Sequence, residues 1–514
     1  MLTIPFWALL LPALHAATPA ADSVPLYTDL GSHHVGISTR VPAAQRYFDQ
    51  GMRLVYGFNH GEAVRAFTEA ARLDPDCAIC HWGSALALGP HVNAPMDSAA
   101  GAQAWVHLQK AISLRGRASR RERALIDALA RRYASPPPAS RGSLDSAYAR
   151  AMRAVVARYP NDLDVATLYA ESLMDLRPWA YWTKEGKPYP GTRIIVAQLE
   201  RVLRKNPDHP GACHYYIHAV EAVAPEKAVR CAERLASLMP GAGHVVHMPA
   251  HIYIRVGRYG DAIESNIHAV HADATYIASE KPTGIYPVGY YPHNYHFLSM
   301  AAMMAGRSRQ AIEAARNLRE NVPADVARQV PPLESLIPYA HQTLATFGLW
   351  DDVLREPLPP GDLRLSSGLA HYARGVAFAA KHDWAAAAAA LDTVTAIARG
   401  TSPADRTAMS AGAGENKTIM DEGENQPRSY LRLIERCREP RAACGGVWHG
   451  MAEYQRYFRT ERTVSILCGG STGSCRESSS VLRITQQSGG SAFSDGVGHA
   501  EDLHTDQGRR RSRR

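Results

Sequence analysis

Residues 47–51 read Tyr-Phe-Asp-Gln-Gly, residues 63–70 read Ala-Val-Arg-Ala-Phe-Thr-Glu-Ala, and residues 73–75 read Leu-Asp-Pro. Apolar side chains recur here at steps of three and four, which places them on one face of a helix. The pattern therefore predicts amphipathic helical text, with small residues at Gly51, Ala63 and Ala70 and a proline at Pro75. The same spacing returns at Gly257-Arg-Tyr259-Gly-Asp-Ala262, at Gly306-Arg-Ser-Arg-Gln-Ala311, and at Gly375 with Trp384 and Ala387. Asn206-Pro207 and Met239-Pro240 close two further units. Amphipathic helical text of this kind cannot bury its apolar faces alone, so successive units must stack.

This recurring unit resembles the tetratricopeptide repeat (TPR), a helix-turn-helix unit of about 34 residues. The resemblance covers residues 44 to about 399, and is poorer over 97–175 and 320–360. It implies an all-α solenoid, coiled as a right-handed superhelix. It also implies that the first helix of each pair lines a concave groove, with the second, fifth and ninth residues facing whatever is bound there.

Ten of the 23 histidines fall between His209 and His296. Counted from Gly243, the repeat resemblance puts His244, His247 and His251 at the second, fifth and ninth places, and from Pro292 it puts His293 and His296 at the second and fifth. One residue of slack at Pro210-Gly211 sets His214, His218 and Glu221 on the equivalent face. Helical geometry agrees independently, because residues three and four apart share a face and two imidazoles so placed can chelate one ion. Those eight residues are the candidate metal ligands, and imidazole with carboxylate suits zinc, copper or iron. His268 and His271 fall on a second helix and are expected at the surface, and His209 lies in a turn.

Two loops bracket the histidine repeats, residues 177–192 and 280–291, both punctuated by Pro and Gly and rich in aromatics. Trp179, Trp182, Tyr286, Tyr290 and Tyr291 are placed to roof the groove and line a ligand pocket. Cys77-Ala-Ile-Cys80-His81 matches the signature for covalent c-type haem, yet it sits within a repeat and no second axial ligand can be named. A helix-start thiol pair, free or oxidised, is the other reading.

The chain of 514 residues is 46% hydrophobic and 21% charged, as expected of a folded soluble protein. Its formal charge of +8 includes Arg509, Arg510, Arg511, Arg513 and Arg514; 8 minus 5 leaves +3 for the rest. The basic stretch Arg115 to Arg132 is interrupted by Glu122 and Asp127 and has no interleaved aromatics, so it reads as a solvated helix face rather than a nucleic-acid surface. The apolar run of residues 1–17 is too short to span a bilayer and ends in small residues, which suggests a cleaved signal, export and a periplasmic location; a buried N-terminal segment is the alternative. Residues 18–43 form an extension ahead of the repeats. Beyond residue 399 the helical period stops, and residues 400–514 read as an irregular tail, either disordered or out of frame.

Two functions fit these features. One is a repeat scaffold whose His-rich groove binds a peptide, protein or small molecule; the other is a metalloprotein, an oxidoreductase or hydrolase, built on the same histidines. There is no H-E-x-x-H, no phosphate-binding glycine loop and no nucleophile with a recognisable partner, so no reaction type follows from the motifs.

Overall fold

The computed structural model describes residues 24–96 and 98–402. These residues form an all-α helical repeat in which consecutive helices pack as hairpins. The first pair is Pro42–Tyr56 with His60–Leu73, and the last is Arg364–Ala380 with Trp384–Gly400. Between them, Leu163–Met174 pairs with Thr192–Lys205, and Pro210–Val220 with Val229–Leu238. The next two pairs are Gly243–Arg255 with Tyr259–Glu280, and Tyr291–Met304 with Ser308–Glu320. Over 320–360, where the repeat pattern is weak, the helices are short: Ala324–Gln329, Tyr339–Thr346 and Trp350–Arg355.

Local chemistry explains where helices start. Asn59, Asp162 and Asp383 each accept a backbone N–H of the following first turn, and Ser119 and Glu122 form a capping box. Within the first repeat the Phe67 ring is held between two glycines, since a Cβ added at Gly51 or at Gly83 would stand 2.5 Å from it. The small residues thus set the distance between helices.

The repeats do not leave the histidine face open, because the first pair folds back onto later ones. Gly211 accepts the Tyr56 ring, where a Cβ would meet it at 2.3 Å, Arg65 pairs with Glu280 at 3.1 Å, and Tyr276 Oη donates to Glu62 Oε2 at 3.4 Å. Residues 24–41 run without regular secondary structure across the gap that remains. Gly241 N–H donates to the Asp29 carbonyl (2.9 Å), Arg53 donates to the His33 carbonyl (2.7 Å), and Ser38 N–H donates to Glu122 Oε1 (2.6 Å). Gly31, at φ 77°, lies so close to the Leu238 carbonyl that a side chain there would collide. Residues 24–41 are thus packed against the repeats. No helix among the described residues is long and apolar enough to cross a membrane.

Candidate metal centre

His209 caps the helix Pro210–Val220 by accepting the Ala212 N–H on Nδ1, and the helix then carries His214 and His218 inward. His214 Nδ1 lies 2.6 Å from the Tyr56 carbonyl oxygen. A carbonyl only accepts, so Nδ1 bears the proton and Nε2 keeps its lone pair. His218 Nδ1 lies 3.3 Å from Glu221 Oε1. Burial alone would raise the Glu221 carboxyl, but His251, the hydrogen bonds from His218 and His251, and Arg255 hold it well below the usual range. It is therefore an acceptor, and His218 also carries its proton on Nδ1.

The next repeat repeats the device. Its first helix is interrupted at Pro249, which has no N–H to give, and continues as Pro249–Arg255. His247 Nδ1 lies 2.7 Å from Asn266 Oδ1, and the Asn266 amide nitrogen donates to the Ala262 carbonyl (2.7 Å), which fixes Oδ1 as the acceptor. His251 Nδ1 lies 2.9 Å from Glu221 Oε2. One carboxylate thus takes a proton-bearing nitrogen from each of two repeats.

With all four Nδ1 atoms committed as donors, four bare Nε2 lone pairs remain, and they face each other in twos. His214 Nε2 is 3.1 Å from His218 Nε2, and His247 Nε2 is 2.9 Å from His251 Nε2. Two lone pairs at such distances repel unless a cation lies between them. Burial disfavours a proton on His214 and on His247, whose pKa values it lowers well below the ordinary histidine value, and it lowers that of His218 as well.

Each pair has a third imidazole beside it. His214, His218 and His244 have ligand atoms within 4.8 Å of one another, and so do His247, His251 and His293. His244 is 1% exposed, and neither of its ring nitrogens has a hydrogen-bond partner. A group of His33, Asp164 and His209 is equally compact, but there the hydrogen bonds are complete. His209 Nδ1 is used as an acceptor, so Nε2 is the donor, and Asp164 Oδ1 also receives Tyr56 Oη (2.8 Å) and lies 2.8 Å from His33 Nε2. It anchors the N-terminal segment.

The aromatic residues divide. Trp179 meets His218 edge-on at 4.7 Å, Tyr290 lies 4.4 Å from His244, and Tyr286 donates to Asp273 Oδ1 (2.8 Å) beneath the His244 backbone. Trp182 instead ties its loop to the Ala219 carbonyl at 2.8 Å. Tyr291 pairs with Tyr295 at 3.3 Å and does not reach the centre. His296 stands 4.6 Å from Tyr339 and belongs to neither three-histidine group. His268 and His271 are exposed.

The face expected to line an open groove is buried: His214, His218, Glu221, His244, His247 and His251 are all less than 9% exposed. The reason is Phe58, which no motif marks. It sits in the turn after the first helix, in the left-handed region at φ 57°, with its ring 4.4 Å from His214, 5.6 Å from His244 and 6.0 Å from His218. Trp179 is also left-handed, at φ 61°. Strained non-glycine residues of this kind persist where the surroundings over-determine them, and they concentrate at functional sites.

Cys77 and Cys80 are joined to each other in a disulfide, so neither thiol is free for a thioether. His81 Nδ1 lies 3.4 Å from His107 Nδ1. The pair stands oxidised at a helix start. Four arginines of the basic stretch pair with carboxylates: Arg115 with Asp127, Arg117 with Asp76, Arg121 with Asp162 and Arg132 with Asp175.

No protein-family model matches the sequence, and no curated protein matches it. Solved structures align over most of its length. Yeast Tom70 is 13% identical over 81% of this chain and 90% of its own, with a TM-score of 0.30. Human IFIT1, solved as a dimer with m7Gppp-AAAA, is 16% identical over 82% and 90%, with a TM-score of 0.33. The TPR domain of P58(IPK) is 12% identical over 73% and 99%, with a TM-score of 0.18. These likenesses assign no role and no ligand.

Proposed function

We propose that this chain is a metalloprotein that holds two transition-metal ions side by side, one on His214, His218 and His244 and the other on His247, His251 and His293. The observation that carries this reading is the pair of Nε2-to-Nε2 contacts with every opposing Nδ1 committed as a donor. Donation of the other ring nitrogen to carboxylate, carbonyl or amide oxygen is the arrangement that orients metal-binding imidazole and raises its basicity. Three imidazoles leave a coordination position open on each ion, as catalytic rather than structural sites do. Imidazole suits copper, zinc or iron. With zinc, the open positions would carry an activated water for hydrolysis; with copper or iron, they would serve an oxidoreductase.

A binding role for the scaffold has its own support in an open cleft of about 810 Å³ between the N-terminal segment and the helix Tyr259–Glu280. Tyr27, Leu30, Val246, Ile267, Tyr276 and Tyr286 line it, a mostly apolar surface suited to a peptide or small molecule. Export is part of the same reading, and the Cys77–Cys80 disulfide supports it, since such bonds persist in oxidising compartments.

The test is metal content by plasma mass spectrometry on untagged protein, after loading with zinc or copper and dialysis. Two ions per chain are expected, falling to about one in His247→Ala with His251→Ala. Less than about 0.2 ion per chain, unchanged by the substitutions, removes the metalloprotein reading.

A further inference from the structure

Two sulfurs next to the histidine centre stand closer than unbonded neighbours rest. Cys213 lies on the helix Pro210–Val220, one residue before His214. Cys231 lies on the hairpin partner Val229–Leu238, on the buried stripe it shares with Ala232 and Leu235. Both side chains are buried and neither is in a disulfide in this structure, yet their Sγ atoms are 2.7 Å apart. Carbon atoms in van der Waals contact rest at about 3.5–4.0 Å, and sulfur is the larger atom. A disulfide bond is about 2.05 Å long, so bonding needs an approach of only about 0.7 Å.

Other readings of this contact fail on chemistry. A thiol is a weak donor and a weak acceptor, too weak to hold two sulfurs inside contact distance, and the Pro207 carbonyl 3.6 Å from Cys213 Sγ offers the better acceptor. A metal centre lacks ligands, since among the described residues no group of three His, Cys, Asp or Glu ligand atoms includes either sulfur. A reactive thiolate is disfavoured as well. The hydrogen bond to Cys231 and burial both raise the Cys213 thiol, whereas nucleophilic cysteines sit partly exposed in electropositive surroundings.

Oxidation fits the contact without moving any helix. The two helices already pack as a hairpin, and one cysteine pair of the chain, Cys77 with Cys80, stands oxidised. That pair is separated by 3 positions, whereas Cys213 and Cys231 are separated by 18, and a longer closed loop removes more conformational entropy from the unfolded chain.

We propose that Cys213 and Cys231 form a second disulfide, which ties the helix carrying His214 and His218 to its hairpin partner. The co-reactant is an oxidised thiol compound, either glutathione disulfide or the disulfide of a protein oxidant. One cysteine, as thiolate, attacks a sulfur of that disulfide and expels a thiolate; the second cysteine then attacks the mixed disulfide and expels the other. The electron pair passes to the co-reactant, which leaves as two thiols carrying the two cysteine protons. Because both sulfurs are buried in the packed repeat, the exchange precedes packing, and the finished bond is shielded from reductant. The bond stands whether or not the histidines hold metal.

The experiment is disulfide mapping of the untagged full chain, secreted into the periplasm of a bacterial host and purified with a chelator present. Free thiols are alkylated in denaturant and the protein is digested with trypsin without reduction. Residues 206–227, which hold Cys213, and residues 231–234, which begin with Cys231, are expected as one linked species that separates on reduction. In Cys231→Ala, the 206–227 peptide is expected to carry the alkyl group before reduction. Alkylated Cys213 and Cys231 in protein whose Cys77 and Cys80 are oxidised overturns the proposal. So does a bond from Cys213 to any other cysteine, or a Cys213 that still escapes alkylation in Cys231→Ala. No metal is loaded, so this result and that of the metal test are read separately.

Discussion

His247 and His251 point their Nε2 atoms at each other across 2.9 Å while each gives its other ring nitrogen to an oxygen, Asn266 Oδ1 and Glu221 Oε2 respectively. His214 and His218 repeat that relationship one helix pair earlier. The two pairs are coupled through Glu221, whose two oxygens each take one ring. A bound ion at one pair therefore acts on a carboxylate that also orients the other.

Glu221→Gln tests that coupling. A glutamine presents one acceptor oxygen and one donor nitrogen, so it cannot hold the Nδ1–H of both His218 and His251. Metal affinity should fall between about tenfold and a hundredfold at both positions, as for other outer carboxylates. Competition with a chromophoric chelator would reveal it.

Phe58→Ala should be expensive. The ring is 1% exposed and touches His214, His218, His244, Tyr215 and His91, so its loss opens a cavity between the first repeat and the histidines. A destabilisation of about 3–5 kcal/mol is expected from urea unfolding, less whatever relief of backbone strain offsets it.

Gly51→Ala and Gly83→Ala both drive a methyl into the Phe67 ring. Each should cost about 1–3 kcal/mol. Because they strike the same side chain, either one made together with Phe67→Leu should show a coupling in thermal unfolding; strictly additive effects would contradict the packing described.

Acid should destabilise the metal-free protein. Burial lowers His60 and His296 to about 4, so the folded state binds fewer protons than the unfolded one below the ordinary histidine value. Stability is then fully present above about pH 6.5 and lost progressively toward pH 4, by up to about 1.4 kcal/mol per pH unit for each such ring. Asp273 acts in the other direction. Burial raises it to about 7 against the hydrogen bonds from Tyr286 and Asn294, so its contribution is lost as pH rises toward 7. Asp273→Asn should therefore steepen the rise in urea midpoint between pH 4 and 6.5.

The helix-pair repeat was legible in the chain because its cause is local. Apolar spacing of three and four, glycine and alanine where helices touch, Asn or Asp at helix starts and proline at exits all act within some thirty residues. The histidine pairs were legible for the same reason: His214 with His218, and His247 with His251, share a helix face by spacing alone. So were Trp179, Tyr286 and Tyr290, as members of aromatic loops beside that face.

What the chain could not display is which face becomes interior. His244 and Glu221 read as groove residues, and only the return of the first repeat, with Phe58 and the Tyr56 carbonyl at its end, encloses them. Asn266 as acceptor for His247, the split between Tyr290 at the centre and Tyr291 away from it, and the separation of His293 from His296 likewise depend on contacts between repeats. Glu171, Asp175 and Arg132 are ordinary charged positions in helical text until helices some forty residues apart bury them together. Local spacing determines which side chains share a helix face. The proton-bearing nitrogen, the buried charge and the partner across the gap are settled by long-range packing, because each depends on atoms that the chain brings close only when the repeats close on themselves.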